Sequence, residues 1–163
     1  MKKVANKDII FVSIQLLLFV IYFIPVFTCS FRTNYIFRYA SLSVAIIGFM
    51  IITLAILQLN KNLTPFPTPK ENGTLIQNGL YKFVRHPIYT GIILLTVGFG
   101  FYRSSIWEIS IGFALWILFY FKSKYEENLL AKHFDDYGKY KKTTGRFFPF
   151  IQNNKILKNK KAI

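Results

Sequence analysis

Residues 82–101 read KFVRHPIYTGIILLTVGFGF. Arginine and histidine, both strongly hydrated, stand side by side at positions 85 and 86; Pro87 follows, and the chain then stays apolar to Tyr102. Pro87 suits the first turn of a helix, where a missing N–H costs nothing, so the spacing predicts a helix that begins at Pro87 with His86 as its N-cap. A helix apolar on all sides needs either a large protein core or a bilayer around it. At 163 residues, 53% of them hydrophobic and 18% aromatic, the chain is too apolar for a soluble domain of its size, and the bilayer reading follows.

Three further apolar runs fit that reading, at 9–29, 36–59 and 106–121. The first two reach the ~20 residues needed to cross a hydrocarbon core of ~30 Å. The runs 88–102 and 106–121 are shorter, with only Arg103-Ser104-Ser105 between them. They are expected to form a helical hairpin of two spans, since one continuous helix would carry Arg103 and Glu108 through hydrocarbon; a re-entrant pair is the alternative. The expected fold is all-α: an integral membrane bundle of about four transmembrane helices followed by a cytoplasmic amphipathic helix. It divides into spans one and two (1–59), a loop (60–87), the hairpin (88–121), a membrane-proximal segment (122–150) and a mobile basic tail (151–163).

Charge supplies an orientation. Four spans place both termini and the middle loop on one side, and all but Arg32, Arg38 and Arg103 of the 21 Lys and Arg residues then face that side. Enrichment in basic residues marks the cytoplasmic face, so both termini are expected there. The net charge of +14 does not argue for nucleic acid, because the basic residues flank spans, where anionic membrane lipids attract them. Cys29 stands alone and can form no internal disulfide. The run 9–29 is long for a signal peptide and no A-x-A site follows, so it is expected to remain as a span.

Two constellations carry chemistry. At Arg85-His86-Pro87 the free backbone N–H groups and the positive end of a helix dipole gather beside a guanidinium, which favours an anionic group such as a carboxylate. The plain alternative is an interfacial anchor for lipid headgroups. Beyond the fourth run, Glu126, Leu130, Phe134 and Tyr137 follow helical spacing on one face, with Glu127 beside it. A carboxylate there needs a cationic partner; pairing with Lys122, Lys124 or Arg146 at the surface is the plain alternative. Both constellations face the same side, so an anion-attracting helix start and a carboxylate pair could bracket one zwitterionic ligand.

The segment NGTLIQNGLYKFVRHPIYTG, followed about forty residues later by EENLLAKHFDDYGKYKKTTGRFFP, resembles the isoprenylcysteine carboxyl methyltransferase family and its bacterial relatives. The likeness runs over residues 64–149. It rests on Arg85, His86, Pro87, Tyr89 and Gly91, on Glu126, Glu127 and Leu130, and on a closing pattern of Tyr137, Tyr140, Arg146 and Pro149. The resemblance implies a small multi-span enzyme that uses S-adenosylmethionine, with no metal, on a lipophilic or lipid-linked acceptor at the cytoplasmic membrane face. It makes 60–87 a cofactor loop and 122–150 a catalytic segment, with spans one and two as scaffold. The cofactor would be held by Gly79, Tyr81, Arg85, His86, Pro87, Tyr89, Glu126 and Glu127: His86 and the helix start suit its carboxylate, a glutamate its ammonium or ribose, and Tyr81 or Tyr89 its adenine or sulfonium. Arg146 would orient an anionic or enolic acceptor, and His86 or Glu127 would take a proton where the acceptor carries one.

Two other readings share part of the pattern. Membrane sterol reductases that use NADPH also resemble R-H-P-x-Y with a late Y-x-x-Y, but generally lack the acidic pair. A non-enzymatic membrane scaffold would need both motifs to be interfacial anchoring by accident. Gly98-Phe99-Gly100 follows no strand and has no third glycine, so it is read as close helix packing and not as a nucleotide loop.

Overall fold

The computed structural model of the chain describes residues 5–24 and 30–150; Cys29 and the tail 151–163 lie outside them. It is all-helical among the described residues: α1 (Asn6–Phe23), α2 (Tyr35–Leu59), α3 (Pro87–Tyr102), α4 (Ile106–His133) and a short α5 (Tyr137–Thr143). Three of these, with bounds Asn6–Phe23, Tyr35–Asn62 and Ile106–His133, are long and apolar enough to cross a membrane; α3, at 16 residues, is a shorter apolar helix.

The helices start where the chain chemistry places them. Asn34 caps α2 by accepting a hydrogen bond from Phe37 N at 2.8 Å, and Ser105 caps α4 by accepting one from Glu108 N at 3.3 Å. Helix α3 begins at Pro87 with His86 as N-cap, as expected. The hairpin turn between α3 and α4 is Arg103-Ser104-Ser105, with Ser104 in the left-handed region at φ 54°. Arg103 Nε pairs with Glu108 Oε1 at 2.9 Å there, and Arg38 donates to the Tyr102 carbonyl nearby.

In space the neighbours run α2–α3–α4–α1, so the first helix lies beside the last long one. Helix α3 packs against α2 along a line of small residues. Gly48 and Gly91 let the backbones touch: a Cβ on Gly48 would stand 2.7 Å from the Gly91 carbonyl oxygen. Gly98 abuts Ala45 and Ser41 of α2 while Gly100 abuts Ile109 of α4, the close packing expected of that pair. Leu115, Phe119 and Phe147 form the buried centre, flanked by Leu18, Tyr89 and Ile92.

Two expectations give way. The fourth apolar run does not stop at 121: α4 continues through Lys122, Ser123, Lys124 and both glutamates to His133, because Lys and Glu extend a helix and nothing in that stretch breaks it. Its 28 residues span about 42 Å at 1.5 Å per residue, longer than the hydrocarbon core, so its last turns project past it. The single amphipathic face through Tyr137 is interrupted. Phe134 adopts extended dihedrals as the C-cap of α4, Asp135 and Asp136 make the turn, and Tyr137 starts α5. Leu130, Phe134 and Tyr137 nonetheless meet, lining one cavity inside the bundle.

Candidate active site at the start of α3 and the end of α4

A short parallel backbone bridge brings the two motifs together. Arg85 N donates to the Gly145 carbonyl at 2.8 Å and His86 N to the Arg146 carbonyl at 3.1 Å, so the residues before α3 and those after α5 run side by side. The stretch ahead of them, Gly79–Lys82, is a 3-10 turn. Gly79 takes φ 56°, a left-handed conformation natural to glycine, and a Cβ there would lie 2.5 Å from the Gln58 amide. Gln58 in turn accepts a hydrogen bond from Leu80 N at 2.9 Å, tying the turn to α2.

Glu127, 1% exposed, is the hub of the site. Arg146 grips it with two parallel bonds, Nε to Oε1 and Nη2 to Oε2, both at 3.0 Å. Arg85 donates from Nε to Oε1 at 3.1 Å, and Lys141 Nζ lies 3.1 Å from Oε2. The other arm of Arg85 donates to the Lys141 and Thr144 carbonyls, so protein groups take up its donors. Three permanent cations on one buried carboxylate compensate its loss of water. Burial alone would lower the Arg146 pKa, but its hydrogen bonds and charge contact with Glu127 raise it, and the guanidinium stays charged.

In front of this hub lies a cavity of about 340 Å³. Tyr81, Arg85, His86, Pro87, Tyr89 and Glu126 line it, together with Leu130, Phe134, Tyr137, Tyr140 and the loop 62–76. Glu126 faces the cavity: its Oε2 accepts from the Tyr89 hydroxyl at 2.8 Å and lies 3.7 Å from His86 Nδ1. His86 Nε2 lies 3.4 Å from Glu127 Oε1 but is not aligned to donate to it, which leaves this buried nitrogen without a hydrogen bond. The Tyr137 hydroxyl is likewise buried and unpartnered. Rings stack behind these groups, His86 on Tyr89 at 5.3 Å and Tyr89 on Phe119 at 4.6 Å, both pairs nearly parallel. Burial raises the Tyr81 and Tyr137 hydroxyls well above the ordinary phenol value, and Tyr140 is pushed up to about 12, also by burial, against the pull of Arg85. All three are neutral hydrogen-bond donors near neutral pH, and Tyr140 spends its proton on the Tyr81 carbonyl at 2.6 Å.

Of the residues singled out from the sequence, Tyr81, Arg85, His86, Pro87, Tyr89 and Glu126 share the cavity, whereas Glu127 and Arg146 stand behind it and Gly79 lies outside its lining, against Gln58 of α2. The spans read as scaffold contribute to the wall: Gln15 from α1 and Ile56 and Leu59 from α2. Lys122 lines it as well, 1% exposed. Gln15 carried a signal, since it is the single amide within the run 9–29; so did Lys122, four residues before Glu126 at the end of an apolar run. A second hollow of about 210 Å³ opens on the other side of α3, walled by Thr90, Ile93, Leu94, Val97, Phe113, Trp116, Phe147 and Phe148.

The chain is 28% identical over 118 residues to probable protein-S-isoprenylcysteine O-methyltransferases of Oryza sativa, subspecies indica and japonica, an overlap covering 70% of this chain and 62% of the rice proteins. It is 28% identical over 81 residues to the cobalt-zinc-cadmium resistance protein CzcN of Cupriavidus metallidurans, covering 49% of this chain and 38% of that protein. Its fold superposes on the eukaryotic intramembrane Ras methyltransferase, isoprenylcysteine carboxyl methyltransferase, with a TM-score of 0.67 at 24% identity, covering 91% of this chain and 55% of that one. The chain thus spans less than two thirds of the length of these relatives. The model of the phospholipid methyltransferase family matches residues 36–137, which take in α2, α3, α4 and both motifs up to Tyr137. An integral membrane protein by its helices, this chain belongs to the phospholipid methyltransferase family and shares its fold with the isoprenylcysteine carboxyl methyltransferases.

Proposed function

We propose that the protein is a membrane methyltransferase that uses S-adenosylmethionine to methylate a lipophilic acceptor at the cytoplasmic face. The observation that carries the reading is the convergence of His86, Tyr89 and Glu126, from two motifs 37 residues apart, on one largely apolar cavity within a membrane bundle. The basic end of the bundle carries this cavity, which supports a cytoplasmic placement with four passes.

The cavity suits the proposed cofactor. Its volume falls within the range of small-molecule pockets, ~300–1,000 Å³. Apolar walls from Ile56, Leu59, Phe66 and Leu130 suit an adenine ring, and Glu126 offers a carboxylate to an ammonium or a ribose hydroxyl. The unpartnered His86 Nε2 and Tyr137 hydroxyl are polar atoms for which a ligand would supply the missing bond. S-adenosylmethionine would bring a methyl group already activated on a sulfonium.

The work left to this chain is alignment and exclusion of water, the main source of acceleration for an in-line displacement. Tyr89 and His86, stacked and fixed at the start of α3, would orient the donor. Glu127 holds Arg85 and Arg146 in place, and Arg146 would present its remaining donor to an anionic or enolic acceptor. The second hollow, next in the chain to Arg146 through Phe147 and Phe148, offers an apolar berth for the acceptor's hydrocarbon chain. A carboxylate acceptor needs no base; for an enol or phenol, His86 would receive the proton.

The test is calorimetry on the purified protein in detergent with S-adenosylhomocysteine and with NADPH, joined to transfer of labelled methyl groups into a membrane lipid extract. Binding of S-adenosylhomocysteine with label transfer is expected; NADPH binding in its place would return the protein to the reductase reading.

A further inference from the structure

Lys122 has no part in the motifs, yet it is the cation that faces the cavity from α4. It is 1% exposed and lines the wall. Its Nζ donates to Gln15 Oε1 at 2.7 Å and to the Pro65 carbonyl at 3.0 Å, and lies 5.5 Å from the centre of the Tyr89 ring. Among the described residues no carboxylate stands within 4.0 Å of it. Arg85 and Arg146, by contrast, are clamped on Glu127. An ammonium has three donors, so after Gln15 and Pro65 one remains. Asp8 and Glu126 act on its charge from beyond that distance, and a buried cation whose direct partners are all neutral oxygens is costly unless an anion completes its shell.

The missing anion can be identified from what stands beside it. Lys122 and Glu126 are four residues apart on α4 and so share one face, their Cβ atoms about 6 Å apart. Both line the same cavity. Glu126 Oε2 is engaged by Tyr89, while no bond is made to its Oε1 among the described residues. A cation and an anion one helical turn apart match the two ends of an α-amino-acid zwitterion, carboxylate to Lys122 and ammonium to Glu126. A neutral lipid chain matches neither member of that pair, and a bare phosphate only the cation.

We propose that Lys122, positioned by Gln15 of α1 and the Pro65 carbonyl, is a specificity residue that binds the carboxylate of the amino-acid end of the methyl donor. This rests on the function proposed above. It assigns α1 a share in recognition, through an amide that sets where the ammonium stands.

The experiment compares S-adenosylhomocysteine with its decarboxylated analogue, which keeps the adenosine, thioether and ammonium and lacks only the carboxylate. Wild-type protein is expected to prefer the carboxylate form by about tenfold or more, as one charge-assisted hydrogen bond commands. Lys122→Met should abolish that preference by weakening S-adenosylhomocysteine alone, with the analogue unchanged within about twofold. Lys122→Arg should keep part of the preference, and Gln15→Leu should reduce it. Equal weakening of both ligands in Lys122→Met and Lys122→Arg would make Lys122 a structural brace for the 62–76 loop and overturn the proposal. So would an unchanged preference in Lys122→Met. If wild-type protein binds neither ligand, the methyltransferase reading itself falls, and this proposal with it.

Discussion

Glu127 and Arg146 meet in a two-pronged ion pair, both N–O distances 3.0 Å, and the same carboxylate also holds Arg85. Glu126, the neighbouring carboxylate, instead faces the cavity with a quarter of its side chain exposed. The two glutamates therefore separate into a brace and a contact. Glu127→Gln leaves guanidinium groups without their counter-charge, and removing one partner of a buried pair costs about 3 kcal/mol or more. A large drop in melting temperature in detergent is expected, while Glu126→Gln should melt near wild type and lose ligand affinity. Equal melting temperatures for both variants would undo this separation.

Arg146→Lys keeps the charge but cannot span both oxygens of Glu127 as the planar fork does. Methyl transfer should fall at least about tenfold, with S-adenosylhomocysteine affinity within about threefold of wild type. A matching collapse of affinity would place Arg146 against the cofactor.

Gly48→Leu tests the contact between α2 and α3. The added Cβ alone would meet Leu95 N at 2.6 Å and the Gly91 carbonyl oxygen at 2.7 Å, so the helices must part. Overpacking of this kind costs about 1–3 kcal/mol, read as a lower melting temperature. Ligand affinity should fall with it, because α2 supplies Ile56 and Leu59 to the cavity wall. A melting temperature equal to wild type would show that the two backbones are not in contact.

Stability should fall at alkaline pH, with a part traceable to Tyr140. Its folded pKa is about 12 against an ordinary 10.0, so the folded state holds the proton longer than the unfolded state does. The hydroxyl's contribution is complete below pH 10 and is lost as pH rises toward 12. Melting temperatures across that window should fall less steeply in Tyr140→Phe, which has no proton to lose. Identical slopes would remove Tyr140 from the effect.

Orientation is open to labelling. On a Cys29→Ser background, Asn72→Cys in the exposed loop should react with an impermeant thiol reagent only after cells are permeabilised. Reaction in intact cells would invert the proposed topology.

How far the sequence went can be followed residue by residue. Pro87 fixes a helix start by its own ring, and Arg103-Ser104-Ser105 punctuates two apolar runs, so both features were legible from local chemistry. The end of α4 was not. Hydropathy falls at Lys122, but helix propensity does not, and the chain follows propensity to His133. Arg85 and Glu127 were legible as charged partners of something; that they largely satisfy each other across 42 positions depends on the backbone bridge between Val84 and Gly145, which no local pattern encodes. Lys122 looked like a surface lysine after a span. Only the lateral approach of α1, with Gln15 at 2.7 Å, makes it an interior group.

The placement of α1 beside α4 bears on how the protein is made. Gln15 and Lys122 are separated by 107 positions, and the cavity wall between them exists only once both helices have been inserted and have found each other. A nascent chain that has released α2 and α3 into the membrane carries the R-H-P motif but no enclosed pocket. Capture of a nucleoside ligand would thus report completed assembly, and by mass action such a ligand would hold α1 in place against lateral escape into the lipid.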